Sequence, residues 1–144
     1  MREDTVDYVL VTYSGQEDLT VDFSFKARRI YPHALNLDNR NCVAIARGPL
    51  IYCAESVDNT EIEDLRSIRL SDDAEFEEIE LDNEGLSRYG FTSESKLGLP
   101  VILLRTNVRI AAQRGEGKKS LTLIPYFMWA NRGRSDLRVW LPRT

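Results

Sequence analysis

Residues 43–54 read Val-Ala-Ile-Ala-Arg-Gly-Pro-Leu-Ile-Tyr-Cys-Ala, two short apolar runs separated by Arg47, Gly48 and Pro49. Apolar runs of this length between turn-forming residues are typical of strands that are buried on both faces. Proline has no backbone N–H to donate, so a sheet ladder must be interrupted or bent at Pro49. This stretch therefore predicts two consecutive buried strands.

Apolar residues alternate with polar ones before this stretch. The alternation is regular from Leu19 to Phe25 and weaker from Val6 to Leu10, with a turn signal at Ser14-Gly15 between them. A period of two places one apolar face against a core, so these segments predict an antiparallel hairpin.

Further strands are expected towards the C-terminus, with a long polar loop over residues 82–98. The expected strands are Ile62–Leu70, Phe76–Leu81, Pro100–Arg105, Leu121–Phe127 and Leu137–Leu141. Helix competes in the first two, because Glu, Leu and Arg all favour it. The fold prediction is an all-β, antiparallel β-sandwich of Greek-key or jelly-roll type, with about nine short strands and few or no helices.

Length and charge restrict the class of protein. A chain of 144 residues with 42% hydrophobic and 29% charged residues suits one β-sandwich domain over residues 1–144, either independent or a fragment of a longer polypeptide. The net charge of −4 argues against nucleic-acid binding, which depends on a basic excess. No apolar run reaches the length of a membrane span and the charged start resembles no signal peptide, so we expect no membrane association and a cytoplasmic or intracellular location.

Candidate catalytic groups are few. The only histidine is His33, and no nucleophile motif accompanies it, so a surface or packed role is favoured. Glu55 follows apolar residues and is either catalytic or, as we favour, a solvated or hydrogen-bonded residue at a strand end. The acid-rich stretch from Ala54 to Glu94 is either a calcium site or a solvated surface. The second is favoured because no calcium-binding loop motif occurs.

Two cysteines, Cys42 and Cys53, lie in apolar strand-like runs. Two thiols and one histidine are too few for a structural zinc centre. Buried free thiols are favoured and a cross-strand disulfide is the alternative. The residues thus predict no catalytic group, no metal site and no cofactor.

The aromatic residues near the C-terminus are the most informative candidates for a contact surface. Tyr126, Phe127 and Trp129 fall within four residues, and Trp140 follows on the last predicted strand. Packing in a core or at an interface is favoured, because aromatic side chains bury large areas there. Stacking on sugar rings is the alternative.

Two segments together resemble a known family. Residues 43–55 are followed by Val57-Asp58-Asn59, and residues 123–133 read Leu-Ile-Pro-Tyr-Phe-Met-Trp-Ala-Asn-Arg-Gly before Arg138-Val-Trp-Leu-Pro142. Their order and spacing resemble the C-terminal β region of the β-L-arabinofuranosidase family, glycoside hydrolase family 127. The resemblance covers residues 19–142.

The resemblance implies a large helical (α/α) barrel followed by β-sandwich domains. It also implies retaining hydrolysis by a cysteine nucleophile on a zinc ion held by cysteines and a glutamate, all within the barrel. None of these residues matches a position here, and Cys42 and Cys53 do not take the nucleophile's role. The expected function is a non-catalytic accessory β domain that packs against the helical-barrel catalytic domain of a glycoside hydrolase, in cis or in trans.

Two alternatives remain open from the sequence. One is a carbohydrate-binding module for arabinose-containing glycans, and the other is an interaction domain that binds a partner or forms a homo-oligomer. The candidate interdomain or sugar-contact residues are Arg47, Tyr52, Trp129, Asn131, Arg132 and Trp140.

Overall fold

The computed structural model describes residues 11–12, 15, 18–20, 22–91, 100–111 and 118–144. The strands are β1 (Ala27–Ile30), β2 (Cys42–Arg47), β3 (Leu50–Glu55), β4 (Ile68–Arg69), β5 (Glu77–Glu80), β6 (Ile102–Ile110), β7 (Lys118–Pro125), β8 (Leu137–Arg138) and β9 (Leu141–Pro142). The other secondary-structure elements of the described residues are one short α-helix, α1 (Asn83–Arg88), and three 3-10 turns at Ser56–Asp58, Leu65–Ser67 and Tyr126–Met128. The prediction of an all-β fold with about nine short antiparallel strands and few helices is confirmed.

The strands form one sheet that folds back on itself. Its order is β1-β2-β3-β7-β6-β4, with β5 on β6, β8 on β3 and β9 on β2. β2 changes partner along its length, since Ala46 and Arg47 pair with β3 while Cys42 and Val43 pair with β9. A parallel bridge from Leu70, just after β4, to Arg143, just after β9, joins the far edge of the sheet back to the β2 side.

The main core lies inside this folded sheet. It consists of buried side chains from β2, β3, β4, β6, β7 and β9 together with three residues outside the strands, Ile62, Leu65 and Leu70. The strand residues are Val43, Ile45, Tyr52, Ala54, Ile68, Ile102, Leu104, Val108, Leu121, Leu123 and Leu141. Each fully buried Leu or Ile side chain contributes about 1.5–3 kcal/mol relative to an exposed one. These residues therefore supply most of the favourable free energy of folding.

A second, smaller core covers the opposite face of the central strands. It contains Cys53, Tyr89, Val101, Leu103, Ile124 and Met128. On β3, Tyr52 and Ala54 point into the main core and Cys53 into the second, because successive side chains of a strand face opposite ways. The prediction that residues 43–54 form strands buried on both faces is thereby confirmed for β3.

The predicted N-terminal hairpin is wrong where the structure can test it. The described residues from Leu19 to Phe25 belong to no strand, and Leu19, Phe23 and Phe25 are exposed. Val21 and the segment Val6–Leu10 lie outside the described residues. Alternation specifies an apolar face but not a hydrogen-bonding partner, and here that face lies on the surface.

Other boundaries also differ from the predictions. β6 extends to Ile110, beyond the predicted end at Arg105, and β7 begins at Lys118, before the predicted start at Leu121. Of residues 62–70 only Ile68–Arg69 is a strand, and Leu137–Leu141 divides into two strands that pair with different neighbours. The predicted loop over residues 82–98 begins with helix α1, whose first turn is capped by Asp82 accepting a hydrogen bond from Gly85 N at 2.7 Å. Side-chain capping of this kind stabilises a helix too short to show a period of 3.6. Residues 92–98 of that loop lie outside the described residues.

Candidate functional site

Three aromatic side chains project from one tight turn at the end of β7. We call residues 125–129 the aromatic turn. Tyr126, Phe127 and Trp129 are 44%, 46% and 39% exposed, whereas Met128 is fully buried in the second core. The rings of Tyr126 and Trp129 lie 6.1 Å apart between centroids and are tilted by 35°. The turn thus presents aromatic surface while its methionine attaches it to the core.

A buried ion cluster lies immediately after the aromatic turn. Arg132 donates through Nη1 to Asp58 Oδ1 at 2.5 Å and through Nη2 to Asp58 Oδ2 at 2.6 Å. The same Nη2 donates to Glu55 Oε2 at 2.8 Å. The guanidinium carbon lies 4.1 Å from the centroid of the Tyr89 ring, and the Tyr89 hydroxyl donates to Asp58 Oδ1 at 3.2 Å. We call these four residues the Arg132 cluster.

The Arg132 cluster is shielded from water. The side chains of Arg132, Asp58 and Glu55 are 18%, 8% and 1% exposed. Hydrogen bonds to Asp58 raise the pKa of Arg132 above its ordinary value, with charge attraction and Glu55 adding to the effect. Burial, then the charge of Asp58, raises the pKa of Tyr89 to about 12. At neutral pH the guanidinium is charged and the phenol is neutral, so both are suited to holding structure rather than transferring protons.

Glu55 also holds the backbone that follows the aromatic turn. Its Oε1 accepts a hydrogen bond from Ala130 N at 3.0 Å. Ala130 has a φ of 61°, in the left-handed region that residues with a Cβ rarely adopt. The role that the sequence favours for Glu55 is a solvated or hydrogen-bonded residue at a strand end. The structure shows it hydrogen-bonded and buried, not solvated.

An apolar groove of about 550 Å³ lies next to the aromatic turn. Its lining consists mainly of aromatic, proline and aliphatic side chains, namely Phe23, Phe25, Arg47, Pro49, Leu50, Pro100, Val101, Pro125 and Phe127. Phe23 and Phe25 stack with centroids 6.0 Å apart and planes within 4°. Because Phe127 belongs to both features, the groove and the aromatic turn form one continuous exposed surface.

The predicted contact residues are only partly brought together. Arg47 lies in the groove wall and forms an ion pair with Glu78 at 2.9 Å, which raises the pKa of Arg47. Trp129 and Asn131 are exposed and Arg132 lies in its buried cluster beside them. Trp140 is half-buried.

Tyr52 must be removed from the predicted surface set. It is 1% exposed in the main core, and its hydroxyl donates to Ile102 O at 2.8 Å. Both faces of β3 are apolar, so the sequence alone did not reveal which residues face outward. The groove residues Phe23, Phe25 and Leu50 were missed as site residues, although the alternation from Leu19 to Phe25 had indicated an apolar face there.

His33 and the two cysteines, the remaining candidate residues, lie in the following surroundings. His33 is exposed and its Nδ1 accepts a hydrogen bond from Leu35 N at 3.2 Å within a turn. Cys42 and Cys53 are free thiols, as favoured from the sequence, with Cys53 buried and Cys42 half-buried. Within the described ranges, no group of three or more His, Cys, Asp or Glu side chains is placed to hold a metal ion. Over the same residues, no helix combines the length and apolar character that a membrane crossing requires.

Comparison with known proteins identifies the family. The glycoside hydrolase family 127 C-terminal domain matches residues 27–142. The chain belongs to glycoside hydrolase family 127. The resemblance seen in the two sequence segments is therefore confirmed, and the matched part is the family's C-terminal domain.

Individual relatives agree with this assignment. The non-reducing end beta-L-arabinofuranosidase of Bifidobacterium longum subsp. longum is 26% identical over 98% of this family 127 chain, which covers 22% of that relative. A solved glycoside hydrolase superposes with a TM-score of 0.67 at 26% identity, over 84% of this chain and 20% of its own.

Two solved structures from family 127 are similar to the same degree. A beta-arabinofuranosidase gives a TM-score of 0.65 at 28% identity, over 85% of this chain and 18% of its own. A beta-L-arabinofuranosidase from Geobacillus stearothermophilus T6 gives 0.63 at 25%, over 85% and 19%. The chain spans about a fifth of the length of the relatives it matches.

Proposed function

We propose that this chain is a non-catalytic accessory β domain that packs against the helical-barrel catalytic domain of a β-L-arabinofuranosidase-like glycoside hydrolase. The observation that carries the proposal is the continuous exposed surface formed by the aromatic turn and the apolar groove. Contiguous apolar surface is unfavourable in water and marks protein interfaces. Aromatic side chains dominate the energy of such interfaces once a partner covers them.

The position of the groove supports a partner that precedes this domain in the polypeptide. The family match is to a C-terminal domain, and about four-fifths of each relative lies outside the matched part. A polypeptide that precedes such a domain would reach it through the residues before β1. Phe23 and Phe25 of that stretch line the groove, so the last part of the connection lies at the surface that the preceding domain is proposed to cover.

The chemistry of the described residues supports a non-catalytic role. Burial raises the pKa of the Cys53 thiol to about 12, so at neutral pH it is a protonated thiol inside the second core rather than a nucleophilic thiolate. Arg132 donates to the buried carboxylates of Glu55 and Asp58; Glu55 also accepts from the Ala130 backbone N–H and Asp58 from the Tyr89 hydroxyl. An engaged carboxylate is poorly placed for acid–base catalysis on a substrate.

Sugar binding by the exposed pair Tyr126 and Trp129 is the second candidate. Both rings are accessible, and aromatic rings of this kind stack on the apolar faces of sugars. Their 35° tilt departs from the flat platform that would hold two successive sugar rings. Domain packing tolerates a tilt, because a protein surface can fill an angled recess.

The proposal is tested first by activity. The purified chain, supplied with zinc and a thiol reductant, is expected to release no product from an aryl β-L-arabinofuranoside. Turnover by the chain alone would overturn the non-catalytic assignment.

Binding is tested with the Bifidobacterium longum relative truncated before its matched C-terminal part. Calorimetry is expected to show binding of the chain, and Phe127→Asp to weaken it about ten-fold or more, because a buried aromatic at an interface centre contributes well over 1 kcal/mol. Leu35→Asp is the matched control, since Leu35 is exposed but lies outside the groove. Equal binding by both variants would argue against this surface. Saturable binding of arabinan oligosaccharides that Trp129→Ala abolishes would favour the second candidate instead.

A further inference from the structure

The aromatic turn is attached to the rest of the domain on both sides of Trp129. On one side Met128 is fully buried in the second core. On the other side Ala130 N donates to Glu55, and Arg132 binds both Glu55 and Asp58. Within the turn itself, Trp129 N donates to Tyr126 O at the long distance of 3.3 Å. The conformation of the turn therefore depends on these external anchors more than on its own hydrogen bonds.

Arg132 connects the turn to three other elements. Glu55 ends β3, Asp58 ends the 3-10 turn Ser56–Asp58, and Tyr89 caps the C-terminus of α1. Arg132 is 77 residues from Glu55 in sequence and 74 from Asp58, so these contacts fix the turn relative to distant parts of the chain. Ala130, between Trp129 and Arg132, has a left-handed backbone conformation. A residue with a Cβ keeps this conformation only where its surroundings enforce it.

We propose that Arg132 is a positioning residue, which holds the exposed aromatic turn in the orientation required for docking. The biological meaning of this inference rests on the proposed function, but the positioning itself is a property of the free domain. A surface that is already ordered loses less conformational entropy when a partner binds, so its affinity is higher than that of a mobile loop with the same residues.

The geometry requires arginine in particular. One guanidinium makes a bidentate pair with Asp58, a further bond to Glu55 and a stacked contact with the Tyr89 ring. Lysine supplies a positive charge without the planar fork, so it can replace the charge but not all of these contacts together. A methionine at position 132 keeps much of the length of the arginine side chain but leaves the buried carboxylates of Glu55 and Asp58 without a cation.

The test follows Trp129 directly. The chain has two tryptophans, so a Trp140→Phe background makes Trp129 the only tryptophan signal. Acrylamide quenching and fluorescence anisotropy are measured without denaturant. Far-ultraviolet circular dichroism first shows that each variant is folded under these conditions. The variants are Arg132→Met and Arg132→Lys. Val108→Ala, in the main core, is the control with reduced stability but an intact cluster.

Arg132→Met is expected to raise the quenching constant of Trp129 and lower its anisotropy, and Arg132→Lys to give an intermediate value. Because Trp129 is 39% exposed in the folded domain, full release of the ring would raise its accessibility roughly two- to three-fold. Val108→Ala should leave both signals at the wild-type value. A loss of stability in Arg132→Met without any change at Trp129 would overturn the inference and leave Arg132 a purely stabilising residue.

A second variant covers the case in which Arg132→Met does not fold. Asp58→Asn keeps the shape of the side chain but removes the charge that Arg132 binds, and it should move the Trp129 signals in the same direction by a smaller amount. Unchanged Trp129 signals in that variant would equally refute the inference. Because no partner is needed for these measurements, a failure of docking in calorimetry would count against the proposed function and not against the positioning role of Arg132.

Discussion

Replacing Asn59 by alanine is expected to destabilise the domain strongly, because its side-chain amide stands in for a missing strand. Asn59 is buried, and its Oδ1 accepts from Thr122 N at 2.7 Å while its Nδ2 donates to Thr122 O at 3.0 Å. Nδ2 also donates to Glu55 O at 2.7 Å. On this side of β7 the neighbouring strand β3 pairs only with Ile124 and Pro125. The amide therefore satisfies the peptide group of Thr122 where β3 does not reach.

The magnitude follows from the groups that alanine leaves unpaired. Three hydrogen bonds are lost, and at about 1 kcal/mol each the free energy of unfolding should fall by about 3 kcal/mol. For a domain of this size that corresponds to a decrease in Tm of roughly 6–12 °C. Asn59→Asp is expected to be at least as damaging at neutral pH, since a carboxylate would face the Glu55 and Thr122 carbonyl oxygens without a proton to donate.

Urea denaturation followed by circular dichroism measures the effect, with a control at an exposed asparagine. Asn107 lies on the surface of β6, and Asn107→Ala should change the free energy of unfolding by no more than about 0.5 kcal/mol. If Asn59→Ala cost less than 1 kcal/mol, or no more than Asn107→Ala, the idea that Asn59 replaces a strand would be refuted.

Three further predictions concern buried side chains and a strained turn. Burial is the main reason why the pKa values of Tyr52 and Tyr89 are raised to about 12 from 10.0, so both neutral phenols favour the folded state below pH 10 and that stabilisation is lost as the pH rises towards 12. An ultraviolet titration should show two of the six tyrosines ionising only near pH 12, and ionisation of all six near pH 10 would contradict this. Near neutral pH a thiol reagent should modify only one of the two cysteines in the folded chain, with Cys53 reacting on unfolding, because burial raises its pKa to about 12. Gly48→Ala should cost about 1–3 kcal/mol in urea denaturation, since φ is 54° and the new Cβ would lie 2.9 Å from the Phe25 ring. Part of that loss should be recovered by adding Phe25→Ala, and no recovery would show that the ring contact is unimportant.

Local pattern predicted the central part of the fold well. The apolar runs of residues 43–54 lie in strands β2 and β3, and within the predicted break Gly48 and Pro49 form the turn while Arg47 ends β2. Such runs are informative because a strand buried on both faces must be apolar at nearly every position. The six-residue helix α1 was missed, because it is too short for helical periodicity and depends on its cap at Asp82.

Local pattern was misleading where burial depends on a partner. The segment from Leu19 to Phe25 has the alternation of a strand, yet Phe23 and Phe25 lie exposed and line the groove. Alternation reports that one side of a segment is apolar, and it does not report whether that side meets this domain's own core or another surface.

By itself, the sequence determined the family and the all-β class of this protein. Both can be recognised from residues close together in the sequence. Each family segment is an unbroken run of residues, and strand periodicity is a pattern among neighbouring residues. Only the tertiary structure decided that Tyr52 is a core residue, that Asn59 completes β7 and that Arg132 binds Glu55 and Asp58. These contacts join residues 50 to 77 positions apart, and such pairs become neighbours only when the sheet folds back and buries them together.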